Sequence, residues 1–248
     1  GHSHILSGTV PNCVSYDPTY AYELAVIIQH GLQVMFVEKQ AKYFYITVTN
    51  ENYQQPAMPE GCEVGIKRGL YLLKAASSKA KRSKKRVQLL GSGAILREVL
   101  AASDILQAEF EVFSDIFSVT SFNELKRDGD SVLRWNRLNP DQPARQSHVQ
   151  ACLGDSGRPV IAATDYIKLY ADQIRAQIQG DYHVLGTDGF GRSDTREKLR
   201  RHFEVDRYSI AYTALQALAA SNIIALEVVL QARERWGIDP ASPEPVIL

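Results

Sequence analysis

The serine at position 156 is one of several side chains whose type and surroundings could support chemistry. It lies in a Gly-Asp-Ser-Gly string at residues 154–157. A serine nucleophile needs a histidine base that is held by a buried carboxylate, and the string alone supplies neither group. The same four residues are typical of a tight turn. We therefore interpret residues 154–157 as a turn and not as a nucleophile loop.

A second candidate, the glycine pair Gly91 and Gly93, lies between an apolar strand-like run and a predicted helix. Backbone N–H groups at such a helix start favour anions. The dinucleotide-binding fingerprint requires a third glycine, whereas position 96 is Leu96. A tight strand-to-helix turn is the main interpretation, and an anion site is the alternative.

The histidines and cysteines show no metal-ligand spacing. His2 and His4 form a His-x-His pair that could bind a metal adventitiously, but no further ligand is near. The cysteines form no Cys-x-x-Cys pair, which argues against a disulfide framework or a zinc site and favours a reducing cytosol. We expect structural or surface roles for the other histidines considered: His30, His148, His183 and His202.

Composition excludes several classes of partner. Lys plus Arg and Asp plus Glu both number 28, so the formal net charge is zero. Bulk attraction to nucleic acid or to an acidic membrane surface is therefore not expected. The basic run at residues 79–86 has no interleaved aromatic residues, and a solvated hairpin tip explains it better than a nucleic-acid patch. The apolar runs are too short to span a bilayer.

The elements that must position these residues alternate between strands and helices, which predicts an α/β fold with a mixed, mostly parallel sheet between helical layers. Asp17-Pro18 predicts a helix start, with Asp17 as N-cap. Ser121 and Glu124 form a capping box for another helix. Strands are predicted at residues 42–48, 69–74, 86–90, 112–119, 159–163 and 182–186, and helices at residues 95–109, 165–177, 195–202, 206–220 and 224–235.

Two connections are also predicted. The strands at residues 69–74 and 86–90 are expected to form a hairpin, which gives the sheet one antiparallel edge strand. Residues 55–61 contain two prolines and a glycine and are interpreted as a linker across the surface. Residues 186–194 are dense in Gly, Asp and Arg and hold no nucleophile–base pair. We interpret them as a packed or interfacial loop, in which Asp188 and Arg192 support stability or dimerisation.

Several long strings resemble a known family. They are residues 11–18 (PNCVSYDP), 50–53 (NENY), 56–61 (PAMPEG), 87–93 (VQLLGSG), 119–125 (VTSFNEL), 163–166 (ATDY) and 186–205 (GTDGFGRSDTREKLRRHFEV). Together they resemble the C-terminal part of the decarboxylating component of homodimeric-type pyruvate dehydrogenases, within the transketolase-like superfamily. The resemblance implies that residues 1–63 are the end of a pyrimidine-binding domain plus a linker. Residues 64–248 are then a transketolase-like C-terminal domain.

The resemblance also assigns one catalytic candidate. Residues 1–4 could be a cloning remnant, but they are similar to the family's Gly-x-x-His loop, in which the histidine faces thiamine diphosphate. His4 takes that position, and its implied role is to hydrogen-bond the substrate or to transfer a proton. Transketolases carry a phosphate-binding arginine where this sequence has Asn50. An asparagine there fits a small substrate without a phosphate group, such as pyruvate.

The family's reaction is decarboxylation of pyruvate on thiamine diphosphate and magnesium, followed by reductive acetylation of a lipoyl group. The resemblance implies a cytoplasmic homodimer that works with a dihydrolipoyl acetyltransferase component. The family's diphosphate and magnesium motif matches nothing in this sequence. We therefore expect the chain alone to bind neither cofactor and to be inactive. Two alternatives stay open: a transketolase-like or other 2-oxo-acid enzyme, and an interaction module for dimerisation or docking of the acetyltransferase.

Overall fold

The main feature of the fold is a five-stranded mixed sheet with helices on both faces, as the sequence predicts. The computed structural model describes residues 1–247, except for the side chains at positions 79 and 81, on which part of the predicted basic tip falls. The strands are β1 (Cys13–Tyr16), β2 (Tyr43–Ile46), β3 (Leu70–Lys74), β4 (Arg86–Gly91), β5 (Phe113–Val119), β6 (Val160–Ala163) and β7 (Tyr182–Leu185). The α-helices are α1 (Ser3–Gly8), α2 (Ala21–Leu32), α3 (Glu63–Arg68), α4 (Leu96–Phe110), α5 (Phe122–Leu138), α6 (His148–Leu153), α7 (Lys168–Asp172), α8 (Arg196–His202), α9 (Arg207–Ala220) and α10 (Leu226–Arg235).

The strand order in this sheet is β3-β5-β4-β6-β7, and only the β3–β5 pair is antiparallel. The antiparallel edge strand is confirmed, but the predicted hairpin is wrong, because Leu70 pairs with Val119 of β5 and not with β4. Both edges of β4 are taken by parallel neighbours, β5 and β6. The connection at residues 75–85 is long enough to carry the chain past β5, so proximity in sequence does not decide the pairing.

Alternation along the buried strands divides the core in two, since successive side chains point to opposite faces of a sheet. Leu89 of β4 packs with α4 and α9, whereas its neighbour Leu90 packs with α5, α6 and α7. Ile161 and Ala162 of β6 likewise pack into the cores on opposite faces of the sheet. The helices therefore form two layers around the sheet. Within residues 1–247, no helix is both long and apolar enough to cross a membrane.

Residues 1–62 form a smaller layer beside this sheet. Strands β1 and β2 pair in parallel, and Tyr16 lies opposite Ile46. Helix α2 covers them, and a π-helical segment (Gln33–Val37) follows it directly. The predicted N-cap at Asp17 is wrong: α2 begins at Ala21, and Tyr20 takes the cap position. The carboxyl group of Asp17 is instead engaged by the hydroxyl of Thr47 (2.8 Å).

Two other predicted helices and the predicted linker agree with the structure in part. Ser121 caps α5 by accepting a hydrogen bond from the Glu124 amide (3.0 Å), but the other half of the predicted capping box is wrong, because the Ser121 amide donates to the Gly69 carbonyl (3.2 Å). The helix predicted at residues 165–177 is interrupted, since α7 is followed by a separate 3₁₀ turn (Arg175–Gln177). Residues 55–58 of the predicted linker have no regular secondary structure.

A buried carboxylate joins the smaller layer, residues 1–62, to the main sheet. Glu23 of α2 is fully buried (0% exposed) and accepts hydrogen bonds from the amides of Thr19 (2.5 Å) and Tyr20 (3.0 Å). It also accepts from the hydroxyls of Tyr71 in β3 (2.7 Å) and Ser118 in β5 (2.6 Å). Burial raises the pKa of the Glu23 carboxyl group, and these four hydrogen bonds oppose that rise by stabilising the ionised form. Glu23 therefore fixes α2 against the antiparallel edge of the main sheet.

Replacing Glu23 by alanine should strongly destabilise the chain, because it leaves buried donors without an acceptor. We expect the free energy of unfolding to fall by about 3 kcal/mol or more. Urea denaturation measures this change. The matched control is Glu227→Ala in the first turn of α10, where an exposed carboxylate should contribute less than about 1 kcal/mol. Equal losses in the two variants would refute the role of Glu23.

Candidate functional site

The candidate site is a cavity of about 570 Å³ where the smaller layer, residues 1–62, meets the main sheet and its helices. Its walls come from the residues that follow β1, β2, β6 and β7, together with Ala94 beyond β4 and part of α8. The carboxyl ends of parallel strands lie at one edge of a sheet, and open α/β sheets bind ligands there. The fold thus brings together segments that are distant in sequence. The lining side chains include Asp17, Thr47, Asn50, Tyr166, Arg192 and Arg196.

His4 lies directly behind this cavity and is fully buried (0% exposed). Its Nε2 atom is 3.0 Å from the hydroxyl oxygen of Thr47, which lines the cavity. Its ring stacks on Tyr170 (4.8 Å between centroids) and meets the edges of Tyr166 (4.5 Å) and Tyr45 (5.4 Å). Burial lowers the pKa of His4 to about 4, so the imidazole is neutral at pH 7.

Asp17 is the second titratable group at this position, and only 6% of it is exposed. One carboxyl oxygen accepts the hydrogen bond from Thr47 (2.8 Å), and the other has no partner within residues 1–247. Burial raises the pKa of Asp17 to about 7, although the hydrogen bond from Thr47 opposes that rise. Sequence reasoning missed this group because Asp-Pro predicts a helix cap equally well.

An arginine–glutamate network supports one wall. Glu51 forms an ion pair with Arg97 (2.6 Å) and accepts a hydrogen bond from Arg200 (2.5 Å), and Arg200 also contacts Glu98 of α4 (3.3 Å). Glu98 pairs in addition with Arg207 (2.9 Å). Burial alone would raise the pKa values of both glutamates, but the arginines outweigh it and hold them below the usual value. The network spans so much sequence that no local pattern indicates it.

Asn50 occupies the position where the resemblance implies loss of an arginine. Its side-chain oxygen accepts a hydrogen bond from Arg196 of α8 (2.8 Å) within the same cavity. Arg192 also lines the cavity. Guanidinium groups are thus present, although they come from another element. Asn50 alone therefore does not exclude a phosphate group from this cavity.

The loop at residues 187–194 closes the cavity on another side. The Thr187 amide donates to the carbonyl of Tyr166 (2.8 Å), and its hydroxyl donates to the carbonyl of Asp165 (2.9 Å). Asp188 accepts from the amide of Lys168 (2.9 Å) at the start of α7. Gly189 has a positive φ of 96°, and a Cβ there would lie 2.9 Å from a backbone oxygen of the C-terminal segment. These contacts give the loop a structural role.

The glycine-rich candidates form turns. Gly93 has a φ of 49°, and a Cβ on it would come within 2.4 Å of the carboxyl group of Asp17. Gly91 to Gly93 is therefore a tight turn against Asp17. Residues 154–157 are exposed, with positive φ at Gly154 (65°) and Gly157 (61°). In the described part of the chain, no hydrogen bond links Ser156 to a histidine.

The histidine candidates do not form a metal site. His2 is exposed while His4 is buried, so the pair does not face one ligand. The Nε2 atom of His148 lies 2.8 Å from the Leu70 carbonyl, a structural contact. Among residues 1–247, no group of three or more His, Cys, Asp or Glu side chains could hold a metal ion.

Two family models match separate parts of the chain. Residues 69–206 match the transketolase-like TK C-terminal domain, and residues 1–56 match the pyruvate dehydrogenase E1 component middle domain. The five-stranded fold is also similar to a split-gene transketolase solved as an inactive β4 tetramer, with a TM-score of 0.55 and 15% identity. That likeness covers 88% of this chain and 62% of the other, and it bears on the fold alone.

Curated relatives are similar along almost the whole chain. The pyruvate dehydrogenase E1 component of Pseudomonas aeruginosa is 56% identical over 247 residues, which cover 99% of this chain and 28% of the relative. The corresponding protein of Escherichia coli K12 is 51% identical over 247 residues, with 99% and 27% covered. The chain thus spans a little over a quarter of the length of these relatives.

Replacing Arg200 by methionine should lower the stability of the chain and make that stability less dependent on pH in acid. Glu51 and Glu98 have lowered pKa values in the folded chain, so the stability they contribute is present above pH 4.5, the ordinary glutamate value, and is lost as the pH falls below it. Without Arg200 we expect about 2 kcal/mol less stability at pH 7 and a shallower loss as the pH falls below the ordinary glutamate value. Urea denaturation at each pH measures both effects.

The control for this variant is Arg235→Met, which removes an exposed ion pair with Glu109. That change should alter stability by less than about 1 kcal/mol and leave the pH dependence as it is. An unaltered acid slope in Arg200→Met would contradict the assignment.

Proposed function

This chain belongs to the transketolase-like TK C-terminal domain family, and we propose that it is the C-terminal part of a pyruvate dehydrogenase E1 component. The observation that carries the proposal is the 56% identity to one such component over 247 residues. The similarity includes both layers of the fold and every element that lines the cavity. We also propose a division into residues 1–63 and 64–248, which the two matched ranges support.

The proposed reaction of the parent protein is decarboxylation of pyruvate and transfer of the acetyl group to a lipoyl group of the acetyltransferase component. Thiamine diphosphate, when bound, supplies the carbanion chemistry that decarboxylation needs. We place the parent in the cytoplasm, as a homodimer. We assign the diphosphate and magnesium to parts of the parent that this chain does not include, which its coverage of 28% of the Pseudomonas aeruginosa relative supports, and we expect the chain alone to be inactive.

His4 is the proposed catalytic residue, and its burial keeps the imidazole in its neutral form. A buried imidazole that is neutral at pH 7 can accept a proton or a hydrogen bond without first losing its own charge. Its aromatic neighbours, Tyr45, Tyr166 and Tyr170, hold the ring in one orientation. Two cavity-lining residues contact the imidazole, Thr47 through Nε2 (3.0 Å) and Tyr166 through its ring (4.5 Å), and its further partner in the parent would be a substrate or cofactor atom.

A second candidate function, interaction, is favoured by one exposed surface. Ile28, Leu32 and Phe36 follow one another at helical spacing along α2 and the π-helical segment, and they are 46%, 51% and 70% exposed. Exposed apolar stripes of this kind are typical of interfaces. The two-stranded sheet of β1 and β2 is also smaller than stable sheets usually are. Both features fit a role in assembling the parent, which is compatible with the enzymatic proposal.

The direct test is an assay of the full-length parent. With pyruvate, thiamine diphosphate and magnesium it should acetylate a lipoyl domain, and it should not transfer ketol groups between sugar phosphates. The transketolase-like alternative predicts the opposite pattern. Release of carbon dioxide from another 2-oxo acid in preference to pyruvate would point to a different enzyme of the superfamily. The chain alone should be inactive in the same assay.

In the parent, His4→Ala should lower turnover by about 100-fold or more, the range in which positioned acid–base groups contribute. Binding of thiamine diphosphate, measured by calorimetry, should change little, because the imidazole is assigned to proton transfer and not to holding the cofactor. The matched control is His2→Ala, which removes the exposed histidine of the same segment. Unchanged turnover in His4→Ala would rule out the assigned role.

A further inference from the structure

The proton positions around His4 follow from counting donors. Thr47 has one hydroxyl proton and three possible acceptors: a carboxyl oxygen of Asp17 at 2.8 Å, an unprotonated Nε2 of His4 at 3.0 Å and the Tyr16 carbonyl at 3.4 Å. When Asp17 is ionised, its carboxylate is both the shortest contact and the strongest acceptor, so it takes the proton. The hydroxyl oxygen can then interact with Nε2 of His4, at 3.0 Å, only as an acceptor. Nε2 must therefore carry the imidazole proton, and Nδ1 carries the lone pair.

We propose that Asp17 and Thr47 are positioning residues that fix His4 as its Nε2–H tautomer and form a proton relay between the imidazole and the cavity. When Nδ1 takes up a proton, Nε2 passes its own proton to Thr47, and Thr47 passes its hydroxyl proton to Asp17. The imidazole ends neutral with its proton on Nδ1, and Asp17 ends as a carboxylic acid. Charge and protons balance, and no stable imidazolium is required.

The burial of His4 and of Asp17, the two ends of this relay, favours transfer of the proton to Asp17. Nδ1 of His4 is buried and has no hydrogen-bond partner in the described part of the chain, so its lone pair is not engaged by the protein. The second carboxyl oxygen of Asp17 is equally unpartnered, and Asp17 lines the cavity. Burial opposes a cationic His4, whose pKa is about 4, and raises the pKa of Asp17 to about 7. Asp17 is thus better suited than His4 to hold the proton.

The surrounding groups are consistent with this direction of transfer. The rings that face His4 belong to the tyrosines at positions 45, 166 and 170, and burial raises the pKa of both Tyr166 and Tyr170 above the usual value. The groups that act on Asp17 include Asp165 and Glu23, whose charges raise its pKa further. The role of the relay in turnover rests on the proposed function of His4, whereas the tautomer depends only on the geometry.

The tautomer can be read from long-range ¹H–¹⁵N correlations of the ¹⁵N-labelled chain at pH 8.5, where Asp17 is ionised. We expect a protonated Nε2 and an unprotonated Nδ1 for His4. Thr47→Val, which is nearly isosteric and lacks the hydroxyl, should abolish this preference. Thr49→Val, the same change at a cavity residue that does not contact His4, should keep it. A proton on Nδ1 in the unaltered chain, or an unaffected tautomer in Thr47→Val, would overturn the proposal.

Kinetics of the full-length parent separate the two proposals. Thr47→Val should lower kcat for pyruvate by about 10-fold with little change in KM, because the hydroxyl positions a base and does not bind substrate. A kcat equal to that of the unaltered parent would refute the relay while leaving His4 as the proposed base. If His4→Ala also turns over normally, the catalytic proposal itself fails, and only the tautomer assignment can stand.

Discussion

The buried carboxylate of Glu23 is the constraint on which the remaining architecture depends. A charge removed from water needs hydrogen-bond donors, and those of Glu23 come from the start of its own helix and from two strands of the main sheet. The helix can therefore occupy one place against that sheet. Strands β1 and β2 are carried with it, and their carboxyl ends meet those of the larger sheet around the cavity.

His4 illustrates what this arrangement achieves. Tyr45 belongs to the smaller layer, whereas Tyr166 and Tyr170 follow β6 of the main sheet. The burial that keeps the imidazole neutral is thus produced jointly by both layers. The network around Arg200 joins the same layers on the opposite wall. Loosening either connection would change the acid–base properties of the site as well as the stability of the fold.

The α/β class and most elements could be predicted from sequence, because buried parallel strands and capped helices have local patterns, as at Ser121. The pairing of β3 with β5 could not, since it depends on which edges of β4 are already filled. The cap at Asp17 failed because its carboxyl group is used by Thr47, which is distant in sequence. His4 was recognised through a family resemblance, but its burial and the Asp17–Thr47 contact required the tertiary structure.

The smaller layer, residues 1–62, and the main sheet with its helices should unfold as one cooperative unit. Native-state hydrogen exchange tests this directly. The amide of Asp17 donates to the Thr120 carbonyl (2.8 Å) at the junction of the layers, whereas the amide of Leu90 lies in the middle strand of the main sheet. We predict that both amides exchange only through global unfolding, with opening free energies equal within about 0.5 kcal/mol. An opening free energy for Asp17 that is lower by about 2 kcal/mol or more would show that the smaller layer detaches by itself, and would contradict the account.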